Sequence, residues 1–187
     1  SVRYWMHNNM ITIAGKKMGK SYNNFITLDQ FFTGSHELLS RPFSPMTIRF
    51  FILMAHYRST VDFSNEALEA AEKGLLRLNE AYSRLQKIQP HETTNIELIN
   101  LKDLCINAMD DDLNTPIVIS HLFDSARAIN TLYDGKGSIS YSDLEELKQT
   151  WEIITKDILG LRFDDQANND TIKAFSETVN LLLRMRL

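Results

Sequence analysis

Cysteine is almost missing from this chain. One thiol, Cys105, stands among 187 residues, so no disulfide closes within the chain and no cysteine-rich zinc cluster forms from it. A lone cysteine suits a reducing compartment, and a cytoplasmic setting is expected. Long apolar runs are lacking too. None approaches the ~20 residues that cross a bilayer, so no membrane partner is expected. The first residues, Ser1-Val2-Arg3-Tyr4-Trp5, lack the basic-then-apolar order of a secretory leader. Low-complexity tracts are absent, as are repeats beyond a helical period. What remains is the composition of an ordinary globular protein, 43% hydrophobic and 24% charged. An initiator methionine is also lacking, and the last residues run in apolar period without a stop signal. The sequence therefore reads as a piece of a longer protein.

Acidic residues are scarce at the front. Residues 1–60 hold Arg3, Lys16, Lys17, Lys20, Arg41, Arg49 and Arg58 against Asp29 and Glu37, a net of +5, and the remainder carries −9. Such an asymmetry places anionic ligands or RNA at the front, unless the charges only clothe solvated faces.

Most of the chain has helical period. Met10-Ile11-Thr12-Ile13 is the one strand candidate in residues 1–26. One strand makes no sheet, so these residues are expected to be mobile without further strands from upstream. A short helix is predicted from Thr27 to Phe32, ending near Gly34. Ser44 with Pro45 then opens an apolar helix to about His56. From Ser64 the spacing of Leu68, Ala71, Leu75, Leu78, Tyr82 and Leu85 makes a seam for neighbouring helices. Further helices are predicted over 95–109, from Asn114-Thr115-Pro116 to Tyr133, and from a Ser142/Glu145 capping box to Ile158, with Gly160 closing it. A last helix is predicted from Asp170 onward.

The chemistry concentrates in Gly15-Lys16-Lys17-Met18-Gly19-Lys20-Ser21. Three lysines between two glycines, directly after a strand, suit a phosphate: glycine lets backbone approach an anion, and ammonium groups neutralise it. A Walker A loop needs four residues between its glycines and a βαβ context, and here there are three and none. A solvated basic turn without ligand is the plain alternative.

Lys17-Met18-Gly19-Lys20-Ser21 resembles the Lys-Met-Ser-Lys-Ser (KMSKS) signature of class I aminoacyl-tRNA synthetases. The flanks narrow the resemblance. Tyr4-Trp5-Met6-His7-Asn8, Asn24-Phe25, His56-Tyr57-Arg58-Ser59, Val61-Asp62-Phe63-Ser64 and Ala108-Met109-Asp110-Asp111-Asp112-Leu113-Asn114-Thr115-Pro116 look, in order, like cysteinyl-tRNA synthetase. The match runs from Tyr4 to about Asn130. Departures stand at Asn9, Gly19 and Tyr22-Asn23, where the family has glycine, serine and leucine-glycine.

The resemblance implies a mainly α chain in three parts. Residues 1–26 would be the tail of a Rossmann-type catalytic domain with its KMSKS-type loop, and 27–63 connecting helices that contact the tRNA stem. Residues 64–187 would form an antiparallel helical bundle of the DALR-like, anticodon-binding type, truncated at its end. It implies a cysteine–tRNA ligase that activates L-cysteine with ATP and transfers it to tRNA(Cys), expected as a monomer. Lys20 and then Lys17 would carry the catalytic charge, within an ATP loop of Lys17, Met18, Gly19, Lys20 and Ser21. His7 and Asn8 would line the adenylate pocket, and Arg58, Tyr57 and Arg49 would touch tRNA. Zinc would be held by ligands outside this chain, with no metal site inside it, and this piece alone would be inactive. Alternatives remain: a ligase coupling cysteine to a small amine, or a helical interaction module. For Asp110-Asp111-Asp112 a metal reading competes with a helix-dipole and N-cap role before the next helix. For His56-Tyr57-Arg58, RNA contact competes with packing of a hinge.

Overall fold

The structure is a computed structural model and describes residues 3–163. Strand β1 (Ile11–Ile13) turns through Ala14 and Gly15 into β2 (Lys16–Lys17). Both turn residues have positive φ, 50° and 74°. That geometry matches the twist of an antiparallel hairpin, and Gly15 adopts it without steric cost. Strand β3 (Val61–Phe63) lies parallel on the other side of β1, with Ile11 opposite Val61 and Ile13 opposite Phe63. The sheet order is β2-β1-β3. The expected lone strand is thus corrected, and with it the premise for a mobile front.

Helix α1 (Leu28–Thr33) opens on a complete capping box, Thr27 with Gln30, and ends at Gly34 in left-handed conformation. In α2 (Pro45–Leu53), Ser44 accepts from the Thr47 N–H and proline takes the first turn, where no donor is needed. It stops at Leu53, short of the predicted His56. Ser64 caps α3 (Asn65–Leu85) in the same way.

Two starts differ from prediction, for one reason. Asn95 donates its backbone N–H to Ser138 O (3.1 Å) and accepts the Ser138 N–H at its side chain (2.7 Å). Residues near 95 are therefore tied to the loop before α6, and α4 (Leu101–Asp110) begins later, capped by Asn100. The Ser140 N–H donates to Thr94 Oγ1 (2.8 Å), which fixes Ser140 as the cap of α6 (Tyr141–Glu152). The Ser142/Glu145 box is not the start. Between them α5 (Thr115–Tyr133) begins with Asn114 at the cap position, without a side-chain cap bond. Beyond α6 the turn Ile153–Ile158 widens to π geometry and ends at Gly160, φ 63°. The helix predicted from Asp170 lies outside the described residues.

Two cores result. The larger joins α3 to α6 around Leu78, Leu122, Ile129 and Trp151, and Phe50 of α2 enters it. The smaller gathers Ile13, Ile26, Phe31, Phe43, Ile48, Phe63 and Leu68 under the sheet. Helix α2 serves both, sending Ile48 one way and Phe50 the other.

Candidate functional site

The lysine stretch is a hairpin followed by a pinned loop. Lys16 and Lys17 lie in β2 with both side chains exposed. Lys20 begins a 3-10 turn, Lys20–Tyr22, and its Nζ sits 5.7 Å from the Phe25 ring centre. Asn24, buried to 9% exposure, holds the loop's base. Its Oδ1 accepts the Gly19 N–H (3.0 Å) and its Nδ2 donates to Lys17 O (3.1 Å). Met18 N–H donates to Ile11 O (3.0 Å), closing the hairpin.

The glycine-bracket reasoning needs correction. Gly15 serves the hairpin turn, and Gly19 has extended backbone (φ −173°) that any residue adopts. The one left-handed position inside the loop is Asn23, φ 54°, a conformation asparagine tolerates better than most residues. His7 stacks on Trp5 with ring centres 5.9 Å apart, and Asn8 lines an apolar groove with Met6, Ile11 and Leu113.

His56, Tyr57 and Arg58 converge on Asp112. Tyr57 OH donates to Asp112 Oδ1 (2.6 Å), and Arg58 Nε lies 2.8 Å from Oδ2. His56 Nε2 lies 3.0 Å from the Asp112 carbonyl. Tyr57 and Asp112 both hold the Arg58 guanidinium above its ordinary pKa. Asp112 has φ 57° and Leu113 φ 56°, so the link between α4 and α5 is bent to present that carboxylate. Of the acidic run, Asp112 forms an ion pair, and no acidic residue lies in the first turn of α5. Arg49 Nε donates to Leu159 O (2.8 Å), tying α2 to the end of the π turn. All three residues expected to touch tRNA are bonded within the chain.

Among the described residues no group of three or more His, Cys, Asp or Glu is placed to hold a metal ion. Cys105 is fully buried, and burial pushes its thiol up to about 11, which is the wrong direction for a nucleophile. Among the described residues no helix is long and apolar enough to cross a membrane.

Residues 1–73 match the family model of the tRNA synthetases class I (C) catalytic domain, and residues 105–164 match the DALR domain. The cysteine–tRNA ligase of Parabacteroides distasonis is 59% identical over 185 residues, 99% of this chain and 38% of that protein. That of Bacteroides fragilis is 58% identical over 186 residues, 100% of this chain and 38% of that protein. That of Chlorobium chlorochromatii is 36% identical over 189 residues, 99% and 37% respectively. The chain belongs to the cysteinyl-tRNA synthetase family. It spans 38% of the length of the first two of these relatives. A class I synthetase catalytic-domain tail thus runs into a mainly helical DALR region. Neither an amine-coupling ligase nor a stand-alone helical module finds support among these relatives.

Sequence reasoning missed Asp62 and Asn24 as supports of the loop. Asp62 Oδ1 accepts from Thr12 Oγ1 (2.5 Å) and from the Gly15 N–H (2.9 Å). The apolar–polar–apolar order of Val61-Asp62-Phe63 was the available signal for β3. Ala14-Gly15 between two strand-like runs was the signal for the hairpin.

Proposed function

We propose that the protein containing this chain is a cysteine–tRNA ligase, in which this segment supplies the ATP loop and a tRNA-contacting helical region. In the first step the cysteine carboxylate attacks the α-phosphate of ATP, and the bond from that phosphorus to the bridging oxygen breaks, so that pyrophosphate leaves with the electron pair. In the second, a ribose hydroxyl of the terminal adenosine of tRNA(Cys) takes the cysteinyl group as an ester, and AMP leaves as the acyl-phosphate bond breaks. Class I synthetases use ATP, and their first step needs positioning and positive charge on the leaving group more than covalent help.

One observation carries this reading. Lys17 and Lys20 stand exposed on a loop whose base is fixed by a buried side chain, Asn24. The ammonium groups can meet an anion while the backbone beneath them stays in register. Lys20 is the main catalytic cation and Lys17 the second, within Lys17, Met18, Gly19, Lys20 and Ser21. His7 and Asn8 belong to the adenylate side. Arg58 keeps 67% of its side chain exposed beside Asp112. An RNA phosphate would therefore displace Asp112 from Arg58 or share Arg58 with it, and Tyr57 and Arg49 are the further tRNA contacts in this reading. The parts follow as 1–26 for the catalytic edge, 27–63 for the stem contact and 64–187 for the bundle. The ligase acts as a cytoplasmic monomer in this reading.

The test is Lys20→Ala in the ligase expressed from its whole coding sequence. Cysteine-dependent pyrophosphate exchange is expected to slow ~10²–10³-fold, the effect of losing one transition-state donor. A rate close to wild type removes Lys20 from this role.

A further inference from the structure

Residues 56–63 are tied at both ends, and each tie is centred on a carboxylate. At one end Asp112 holds His56, Tyr57 and Arg58 together. Asp112 is itself fixed to the bundle, since Leu113 N–H donates to Met109 O and Asn114 N–H to Ala108 O, both 3.0 Å. At the other end Asp62 accepts from Thr12 and from Gly15, two residues before Lys17. Between the ends the backbone is gripped at Tyr57, Arg58 and Val61. Asn9 donates its N–H to Tyr57 O and its Nδ2 to Arg58 O, both 2.9 Å, and Val61 N–H donates to Met10 O (3.3 Å). Parallel pairing of β3 with β1 completes the contact.

We infer that residues 56–63 form a strap through which the helical bundle sets the position of the lysine loop, with Asp112 and Asp62 as its positioning residues. The inference rests on the proposed reading of Lys17 and Lys20 as the ATP loop. No step from Asp112 to Gly15 crosses unbonded chain: the bundle holds the strap, the strap holds β1 and its turn, and the turn leads into β2. Neither carboxylate is assigned a contact with ATP or cysteine. Asp62 does this with one oxygen accepting two donors, so its geometry matters more than its charge. Asp112 uses both oxygens against a guanidinium and a phenol, so there the charge matters. The Asp112–Arg58 pair is partly exposed and screened by solvent, which keeps its share of the coupling modest.

The experiment uses the whole ligase in two readouts. In pyrophosphate exchange, Asp62→Ala lowers kcat about tenfold with KM for cysteine unchanged, because a misplaced cation is missed only in the transition state. Asp62→Asn restores most of the rate, since the amide oxygen accepts the same two bonds. Asp112→Asn costs about threefold, and the double variant Asp62→Ala/Asp112→Asn is no slower than Asp62→Ala alone, because both act through one strap. Losses that multiply would mean two separate structural roles and would overturn the strap.

The second readout does not depend on activity. In Asp112→Asn, amide hydrogen exchange of residues 10–20 rises about fivefold while α3 and α5 stay protected. Wild-type protection of residues 10–20 would also overturn the strap. If the wild-type protein shows no cysteine-dependent pyrophosphate exchange, the ligase reading fails, and hydrogen exchange alone decides the strap.

Discussion

The bundle and the front sheet are held in different ways. In the bundle Trp151, Leu78, Leu85, Leu122, Ile129 and Ile154 are almost wholly buried in one continuous core. At the front, strands of three, two and three residues cover a core of seven side chains. So small a core cannot hold the hairpin by area alone, and single side-chain bonds take over: Asp62 on the turn, Asn24 under the loop, Asn9 on the strap. Apolar burial is non-directional and stabilises in proportion to area, whereas a hydrogen bond fixes a direction. A loop that must aim two ammonium groups is better served by the second. A scaffold that must resist unfolding is better served by the first.

The strongest way to break this comparison is Trp151→Ala. The indole is fully buried and its Nε1 donates to Ser125 Oγ (2.9 Å), so truncation leaves a cavity and an unpaired hydroxyl. A loss of ~3–5 kcal/mol is expected, as for other buried aromatics, read by chemical denaturation. A loss below ~1 kcal/mol would mean that the bundle is not the reservoir of stability.

Gly34→Ala tests the front. Gly34 has φ 69°, and an added Cβ would lie 2.6 Å from the backbone nitrogen of Pro42. Neither the conformation nor the neighbour can yield cheaply, so ~1–3 kcal/mol is expected. The damage should centre on α1 and the sheet, where hydrogen exchange would rise while α3 to α6 keep their protection. Equal loosening of the bundle would show that the two cores unfold as one unit.

The same contrast explains what could be read from sequence. Ser44-Pro45, Ser64 and the Leu68-to-Leu85 seam act within a few residues of themselves, so caps and period revealed α2 and α3. The Thr94–Ser140 and Asn95–Ser138 bonds join residues more than forty positions apart, and they moved the starts of α6 and α4 away from their local signals. Most of the strap was illegible for that reason. Asp112 to Tyr57 and Asp62 to Gly15 span 55 and 47 residues, and no periodicity encodes such a pair. The lysine loop itself was legible through its resemblance to a synthetase signature, while its backbone course was not. Two-residue strands leave no pattern to count.

The smallest expected effect sharpens the comparison by pH. Asp62 at the front and Asp143 on the bundle are both held below the ordinary carboxylate range by hydrogen bonds. Thr12 acts first on Asp62, then the Gly15 N–H; Thr94 acts first on Asp143, then Ser140. A depressed folded pKa contributes stability above the unfolded carboxylate value, about 4, and loses it as pH falls through the folded value. Both regions should therefore weaken on acidification from about pH 5 downward, modestly because both groups face solvent. Removing each main donor separates the two. Thr12→Val should flatten the acid dependence of hydrogen exchange in residues 10–20 and leave the bundle unchanged. Thr94→Val should flatten the acid limb of bundle unfolding, seen as a smaller fall in Tm, and leave the hairpin unchanged. If either substitution altered both regions alike, the carboxylates would be reporting one cooperative unit, and the division between a region held by area and one held by bonds would fail.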